Sequence, residues 1–193
     1  AGRDWELVES ELLLADLQTV NKQGEPRGVA DKLVQARWEL VKKLKVGLDS
    51  GKPGRDVITD PEERVLVREL NLLTMKPVLL VANVSEGQLS LPRRQAGNYP
   101  ILPISAKIES ELASLSNEEQ SAYLKELGLS ASGLDRLIAK AYEMLGLISF
   151  LTCGVIESRA WTIKRGTKAP QAARVIHTDI EKKFIKADVV AFG

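Results

Sequence analysis

The segment 77–83 has the sequence Pro77-Val-Leu-Leu-Val-Ala-Asn83, a continuous apolar run bounded by turn-forming residues. Runs of this length and composition are typical of a strand that is buried on both faces of a parallel sheet. A second, shorter run, Ile101-Leu-Pro-Ile104, ends in Ser105-Ala106-Lys107 and leads into an amphipathic helix. Two strands that each end in polar residues indicate a doubly wound sheet, whose ligands lie at the carboxyl ends of its strands.

The residues before this sheet have helical periodicity. Apolar side chains recur at spacings of three and four over residues 5–22 and again over 29–48, which predicts two amphipathic helices that form a hairpin. The stretch Thr59-Asp60-Pro61-Glu62-Glu63 combines a capping residue, a first-turn proline and acidic first-turn residues. It predicts a third helix that ends at about Leu73.

The residues after Lys107 combine further helices with a small α+β module. The predicted elements are a helix through Leu112 and Leu115, a helix from Ser116 to Leu127, a helix over 134–145, strands over 147–151 and 158–164, a short helix over 169–176 and a strand over 184–190.

Composition and charge restrict the function classes. The 193 residues are 44% hydrophobic and 27% charged, which indicates a soluble globular protein. Lys and Arg nearly balance Asp and Glu, 27 against 26. The molecule as a whole therefore lacks the large net positive charge that is typical of proteins that bind nucleic acids or membranes. No apolar run reaches the roughly 20 residues of a membrane helix, and residues 1–5 do not form a signal peptide. The single cysteine, Cys153, excludes an internal disulfide and is expected to be a buried thiol, in keeping with a reducing cytoplasm.

One glycine-rich stretch resembles a phosphate-binding loop only superficially. Gly47-Leu-Asp-Ser-Gly51-Lys52-Pro53 has three residues between its glycines, whereas the loop needs four, and Pro53 stands where a Ser or Thr hydroxyl would hold magnesium. The stretch is therefore interpreted as a turn that ends a helix.

The ends of the two predicted strands carry a candidate purine site. Asn83-Val84-Ser85-Glu86 follows the first strand, and Ser105-Ala106-Lys107 follows the second. Each stretch alone is equally typical of a turn or a helix cap. Together, and in this order, they look like the two base-reading elements of a GTPase-type nucleotide domain. There the Asn amide bonds the purine edge, the acidic residue faces the Watson–Crick edge, and the backbone of the Ser-Ala turn closes over the six-position.

The same residues favour adenine over guanine. Guanine specificity normally uses Asn-Lys-x-Asp, whereas this chain has Val84 for the lysine and Glu86 for the aspartate. The added methylene of Glu86 places its carboxylate in the space that the 2-amino group of guanine would fill. An Asn amide can donate to N7 of adenine and accept from its 6-amino group.

The C-terminal region is locally basic. Residues 159–188 hold eight basic and three acidic side chains, a pattern that favours docking on the phosphates of a nucleic acid, with a solvated lysine-rich surface as the alternative. Trp161 is expected in the core rather than as a base-stacking platform. His177 is expected to cap a helix or form a turn, because one histidine cannot build a metal site.

These stretches resemble the YchF family, the Obg-like ATPases. The similarity lies in residues 70–86, in the turn Ser105-Ala106-Lys107-Ile108-Glu109 and, most specifically, in residues 159–190. It implies an α/β fold: half of a doubly wound P-loop-type nucleotide domain at 76–146, with an inserted α-helical hairpin at 1–75. An incomplete TGS module, a ubiquitin-like (β-grasp) fold, is implied at 147–193.

The resemblance also implies a function. It implies a cytoplasmic, magnesium-dependent ATPase that prefers ATP to GTP and binds the ribosome through its TGS and helical parts. We expect a monomer that does not contact membranes. The implied nucleotide-binding residues are Asn83, Val84, Glu86, Ser105, Ala106 and Lys107.

Three departures limit the resemblance. The phosphate-binding loop, the magnesium-holding threonine and the Asp-x-x-Gly segment of the family are missing from the sequence, so no catalytic or metal-binding residue is assigned. The connection from Glu86 to Ser105 is short, with Ser90-Leu91 as an apparent join, and Phe192-Gly193 precedes the closing strands of a TGS module. We therefore expect a partial chain. A non-enzymatic module that docks on ribosomal RNA or protein, and a GTP-binding regulator, are the alternative functions.

Overall fold

The computed structural model describes residues 2–26, 28, 31–89, 95–96, 99–154 and 157–191. They fall into two compact units, Ala1–Ile104 and Ser105–Gly193. No helix in the described ranges is both long and apolar enough to span a membrane. The apparent join at Ser90-Leu91 and the end of the chain at Phe192-Gly193 lie outside the described residues. The division into three domains stays a prediction.

The first unit begins with the predicted helical hairpin. Helix α1 (Gly2–Asn21) packs against α2 (Lys32–Asp49), and both lie close to the predicted ranges. Helix α2 buries Leu40, Val41, Leu44 and Leu48, whose spacing of three and four places them on one face. The two predicted helices are confirmed.

Helix α2 ends in a glycine turn. Gly51 has a φ of +79°, a conformation that glycine adopts without strain. Its N–H donates to the Leu48 carbonyl at 3.0 Å, and the N–H of Lys52 donates to the Gly47 carbonyl at 2.9 Å. Such bonds close a helix at its C-terminus. The interpretation as a helix-ending turn rather than a phosphate-binding loop is confirmed.

The third predicted helix is shorter than expected. A short helix α3 (Gly54–Val57) precedes α4 (Pro61–Val67), which Asp60 caps by accepting from the N–H of Glu62 at 2.9 Å. Two 3-10 turns follow, Arg68–Leu70 and Leu73–Met75. The expected end at Leu73 is wrong, since α4 ends at Val67. Asn71 then ends the following 3-10 turn with a φ of 50°, because a left-handed residue cannot continue a right-handed helix.

Three strands complete the first unit. They are β1 (Leu80–Asn83), β2 (Gln95–Ala96) and β3 (Tyr99–Ile104), in the order β1-β3-β2. Strands β1 and β3 are parallel, as predicted, and β2 is antiparallel to β3. The expectation that β1 is buried on both faces is wrong. Side chains alternate between the faces of a strand, and Val81, on one face, is 47% exposed, while Leu80 on the other is half-buried.

The core of the first unit joins the hairpin to the segments that follow it. The most buried side chain of α2, Leu44, is 0% exposed and Ile58, after α3, is also 0% exposed. Trp38 of α2 is half-buried and packs against this cluster. The buried members are Val20, Leu40, Val41, Leu44, Leu48, Ile58, Val67, Leu70 and Leu72.

The second unit begins with three helices, all predicted. They are α5 (Ala106–Leu112), α6 (Asn117–Glu126) and α7 (Gly133–Leu145). Ser116 and Glu119 form a reciprocal capping box at the start of α6. Glu109 of α5 accepts from the N–H groups of Gly133 and Leu134 at 2.7 and 3.1 Å, and so ties α5 to the N-terminus of α7.

An antiparallel hairpin and two short helices follow. Strands β4 (Leu147–Cys153) and β5 (Ser158–Lys164) are paired, and α8 (Ala169–Ile176) has the predicted bounds. His177 caps α9 (Thr178–Lys182), because its Nδ1 accepts from the N–H of Asp179 at 3.2 Å. The capping role predicted for this histidine is confirmed.

Two expectations for the second unit are wrong. Residues 184–190 form no strand: Ile185 is 91% exposed and Val190 is 89% exposed, and no described strand pairs with them. A strand needs a partner for its backbone groups, whatever its pattern of side chains. Cys153 is exposed rather than buried, because it lies on the face of β4 opposite the half-buried Thr152.

Candidate functional site

The first part of the candidate site is the carboxyl end of β1. Asn83 is the last residue of the strand, lies opposite Ile104 of β3 and is exposed. The N–H of Val84 donates to the Ile104 carbonyl at 2.9 Å, and the Val84 side chain is half-buried. The backbone of this strand end is therefore held by β3.

A tight turn carries the acidic residue. Glu86 opens the 3-10 turn Glu86–Gln88 and is exposed. Ser85 and Gln88 cap that turn reciprocally, and the N–H of Ser85 donates to Oε1 of Gln88 at 3.3 Å. The capping fixes the backbone on both sides of Glu86 while its carboxylate points to solvent-accessible space.

The second part of the candidate site opens helix α5. Ser105 is 3% exposed and caps the helix, with its hydroxyl accepting from the N–H of Ile108 at 3.5 Å. Lys107 extends outward, 79% exposed, with its Nζ 3.8 Å from Oε1 of Glu111. The Ser105 hydroxyl is therefore engaged in capping the helix, and the role of the turn backbone in binding a purine stays a prediction.

The strand register brings the first part to the end of β3. Asn83 pairs with Ile104, and Ser105 is the next residue along the chain. Asn83, Val84 and Glu86 belong to the first compact unit, and Ser105, Ala106 and Lys107 to the second. Their joint use as a purine site stays a prediction.

A buried carboxylate that the sequence pattern did not reveal joins α1 to the turn before β1. Asp16 of α1 is 2% exposed, and Thr74 is 1% exposed. Asp16 accepts from the N–H groups of Leu73 and Thr74 at 2.7 Å and from the Thr74 hydroxyl at 2.6 Å. The Thr74 hydroxyl in turn accepts from the N–H of Gly54 at 2.8 Å. The network fixes α1 to the segment that leads into β1.

The signal for this network was present in the sequence. Asp16 lies four residues after Leu12 and four residues before Val20, on the apolar face of α1. A charged residue at such a position is almost never fully buried unless it has partners. Those partners come from residues that are far away in sequence, which is why the pattern alone does not identify them.

A second polar group joins α1 to the start of β3. Arg55 donates to Oε1 of Glu9 at 2.8 Å and to the Thr74 carbonyl at 3.0 Å, and its guanidinium lies 5.0 Å from the centre of the Tyr99 ring. The Tyr99 hydroxyl donates to the same Glu9 oxygen at 3.3 Å, and Trp5 meets the Tyr99 ring edge-on at 5.2 Å. Since Tyr99 begins the strand that ends at Ile104, the hairpin is connected to the strands of the candidate site.

No metal centre is formed by the residues that the structure describes, because no three His, Cys, Asp or Glu side chains among them come together.

The chain is similar to proteins named for ribosome binding. "Ribosome-binding ATPase YchF" of Bacillus subtilis (strain 168) is 43% identical over 204 residues, covering 98% of this chain and 56% of that protein. The protein of the same name from Escherichia coli O157:H7 is 36% identical over 203 residues, covering 98% and 55%. The family model YchF-GTPase_C, described as a protein of unknown function (DUF933), matches residues 147–193.

A solved structure agrees with these matches. The "Structure of the Schizosaccharomyces pombe YchF GTPase" superposes with a TM-score of 0.80 and 33% identity, over 95% of this chain and 54% of that chain. The chain belongs to the YchF family. It spans about half the length of the YchF relatives that it matches. Their names differ in the nucleotide, ATPase for the bacterial proteins and GTPase for the yeast one.

Proposed function

We propose that this chain is part of a ribosome-binding ATPase of the YchF family, with its adenine-reading residues at the carboxyl ends of β1 and β3. The observation that carries the proposal is the parallel register of the two strands, which ends with Asn83 opposite Ile104. Ligands of open α/β sheets bind at this end of the strands. The names of the relatives support hydrolysis of a nucleoside triphosphate and attachment to the ribosome.

The proposed roles follow from the chemistry of the side chains. The Asn83 amide donates to N7 of adenine and accepts from its 6-amino group, which is the pairing that adenine offers to an amide. Val84 packs on the base, and Glu86 occupies the space that the 2-amino group of guanine would need. The backbone of Ser105 and Ala106 closes the site, with Lys107 beyond it.

Hydrolysis is assigned to residues outside these 193. The sequence has no Gly-x-x-x-x-Gly-Lys-[Ser/Thr] loop, and such a loop, with Mg²⁺, holds the phosphates in nucleotide-hydrolysing proteins of this type. We therefore expect this chain alone to bind ATP weakly or not at all in isothermal titration calorimetry. Micromolar ATP binding would show that the phosphate-binding part is not needed.

The base preference is tested by competition in the full-length protein that contains this chain. ATP is expected to displace a labelled nucleotide better than GTP, and Glu86→Asp is expected to shift the preference toward GTP, because the shorter carboxylate leaves room for the 2-amino group. The matched control is Glu118→Asp, the same change at an exposed position of α6. Preference for GTP before any change would support the GTP-binding regulator instead.

Docking on the ribosome is proposed for the C-terminal region and the helical hairpin. Residues 159–188 hold eight basic and three acidic side chains, and the order β4, β5, α8 is compatible with the first part of a ubiquitin-like TGS module. Because phosphate contacts release counterions, ribosome binding through this region is expected to weaken steeply with salt in a sedimentation assay. Binding that is independent of salt would contradict RNA docking. We also propose that the protein is a cytoplasmic monomer.

A further inference from the structure

The β4–β5 hairpin has one open face. In the antiparallel register Ser149 lies opposite Thr162, Leu151 opposite Ala160 and Leu147 opposite Lys164. Alternation places these residues on the same side of the hairpin. We call Ser149, Leu151, Ala160, Thr162 and Lys164 the outer face, and all five are exposed, Leu151 to 57%.

The opposite face of the hairpin is more buried, although Ile148 on that face is 37% exposed. Phe150, Trp161 and Ile163 alternate with the residues of the outer face and are half-buried. The Trp161 indole donates to the Thr152 hydroxyl at 2.9 Å, and the Arg159 guanidinium lies 4.3 Å from the centre of its ring. Trp161 is thus engaged within the unit. The outer face is the more exposed side of the hairpin, and the Tyr142 hydroxyl of α7 is bonded to it at Thr162.

Three hydroxyl groups meet at the outer face. The Tyr142 hydroxyl of α7 lies 3.2 Å from Oγ1 of Thr162, which lies 3.4 Å from Oγ of Ser149. Hydrogen bonding to Thr162 and, to a smaller extent, to Ser149 lowers the pKa of Tyr142 below its ordinary value of 10.0. The cluster holds side chains that both donate and accept hydrogen bonds, side by side on an exposed surface.

Positive charge borders the hydroxyl cluster. Lys164 ends β5 on the outer face, and Arg165 and Lys168 follow within a turn in which Gly166 has a φ of +84° and the Thr167 hydroxyl donates to the Lys164 carbonyl at 2.6 Å. In the part of the chain that the structure describes, these three cations have no salt-bridge partner, whereas Arg174 pairs with Glu181 and Lys186 with Asp188. The nearby Glu143 is bound to Lys140 at 2.7 Å, and Lys140 and, to a smaller extent, Arg165 lower its pKa. One carboxylate thus faces several cations, so the border keeps an excess of positive charge.

We propose that the outer face binds the ribose–phosphate backbone of an RNA strand. Lys164 and Arg165 contact phosphates, the hydroxyls of Tyr142, Ser149 and Thr162 contact the ribose 2′-hydroxyl, and Leu151 with Ala160 packs against the sugars. This inference rests on the proposed ribosome docking and names the surface that performs it. Cations beside Ser, Thr and Tyr hydroxyls are the groups that make phosphate and sugar contacts in nucleic-acid complexes.

The chemistry favours RNA over DNA. The 2′-hydroxyl both donates and accepts, and it is the group by which a protein distinguishes the two nucleic acids. Hydroxyl side chains complement it, because they too donate and accept. The carboxylates of an acidic protein would match the cations but could only accept hydrogen bonds from the hydroxyl cluster, whereas the 2′-hydroxyl also donates to it.

The test measures binding of the full chain to labelled oligouridine RNA and to oligodeoxyuridine of the same length, which differ only in the 2′-hydroxyl. Fluorescence anisotropy over a range of salt is expected to show tighter binding to the RNA. Lys164→Ala/Arg165→Ala is expected to weaken binding at low salt about tenfold or more. It should also reduce the slope of log K against log salt by roughly 1.4, since each lost contact to a single strand accounts for about 0.7.

The matched control is Lys182→Ala/Lys183→Ala, which removes the same charge at the end of α9. It is expected to change affinity much less. Equal losses of RNA affinity in the two double variants would contradict the assignment of RNA binding to the outer face. Docking by the basic region as a whole would still be supported. Absence of RNA binding by the unaltered chain would also contradict the assignment of RNA binding to the outer face. Salt-independent attachment of the full-length protein to ribosomes would contradict the proposed docking through the basic region.

A further variant separates hydroxyl contacts from charge. Thr162→Val keeps the shape of the side chain and suits a strand, so the hairpin is expected to fold, which circular dichroism would verify. The preference for RNA over DNA is expected to fall about two- to tenfold, the range of one net hydrogen bond, with the salt slope unchanged. An unchanged preference in both Thr162→Val and Tyr142→Phe would overturn the assignment of the hydroxyls.

Discussion

The two compact units are held together differently. In the first unit the hairpin and the segments after it share one cluster of buried apolar side chains, and Asp16 and Thr74 form a buried polar network beside it. Among the described residues of the second unit the buried apolar side chains are Ile108, Leu112 and Ala173, and helix caps and the β4–β5 ladder add hydrogen bonds. The first unit therefore depends on close packing, whereas the second keeps exposed surfaces that suit binding.

The largest effect is expected in the core of the first unit. Leu44 is 0% exposed, so Leu44→Ala should lower the free energy of unfolding by about 2–5 kcal/mol through lost burial and a residual cavity. Urea denaturation followed by circular dichroism measures the change. Leu33→Ala, the same substitution in the same helix at a side chain that is 61% exposed, is the control and should cost less than about 1 kcal/mol. Equal losses would show that α2 does not bury the face assigned to it.

The next effect concerns the buried network of the same unit. Asp16→Asn replaces one acceptor oxygen by an NH₂ group, which then faces the N–H donors of Leu73 and Thr74 or the Thr74 hydroxyl. Unfolding free energy should fall by about 1–3 kcal/mol, the cost of unsatisfied buried polar groups. Ser10→Ala, an exposed position of the same helix, is the control for α1. A neutral Asp16→Asn would mean that the network contributes nothing to the attachment of α1.

The smallest effect lies on the surface of the second unit. The backbone N–H of Ser116 and, to a smaller extent, the Ser116 hydroxyl donate hydrogen bonds to the Glu119 carboxylate. These bonds hold the pKa of Glu119 below its ordinary value of 4.5. A lowered folded pKa means that this cap stabilises the protein above the ordinary pKa and is lost as the pH falls through the lowered one. Ser116→Ala should raise the pKa of Glu119 toward 4.5 in an NMR titration. Ser114→Ala, which leaves the capping box intact, should not move it.

The predicted elements that were confirmed rely on neighbouring residues. Ser116 and Glu119 are three residues apart, the apolar positions of α2 recur within single turns, and β4 and β5 are joined by a short connection. Two expectations that depended on distant partners were wrong, although the parallel pairing of β1 with β3 was confirmed. Residues 184–190 alternate like a strand but meet no partner strand among the described residues, and Cys153 is apolar enough for a core but lies on the exposed face.

The candidate purine site likewise has features that the sequence predicted and features that it did not. Asn83, Glu86 and the Ser105 cap follow from the ends of two apolar runs, and the parallel pairing of those runs is confirmed. The links from Glu9 and Asp16 to Arg55, Tyr99 and Thr74 were not predicted, because they join residues 46 to 90 positions apart.

Sequence alone determined the helices, the parallel strand pair and the YchF family of this chain, because periodicity, caps and characteristic stretches are local properties of a polypeptide. Tertiary structure alone decided which faces are covered, where the buried Asp16 finds its donors, and that three hydroxyls of α7, β4 and β5 meet near the basic end of β5. The physical reason is that burial and hydrogen-bond partnership are set by segments that come together only when the chain folds.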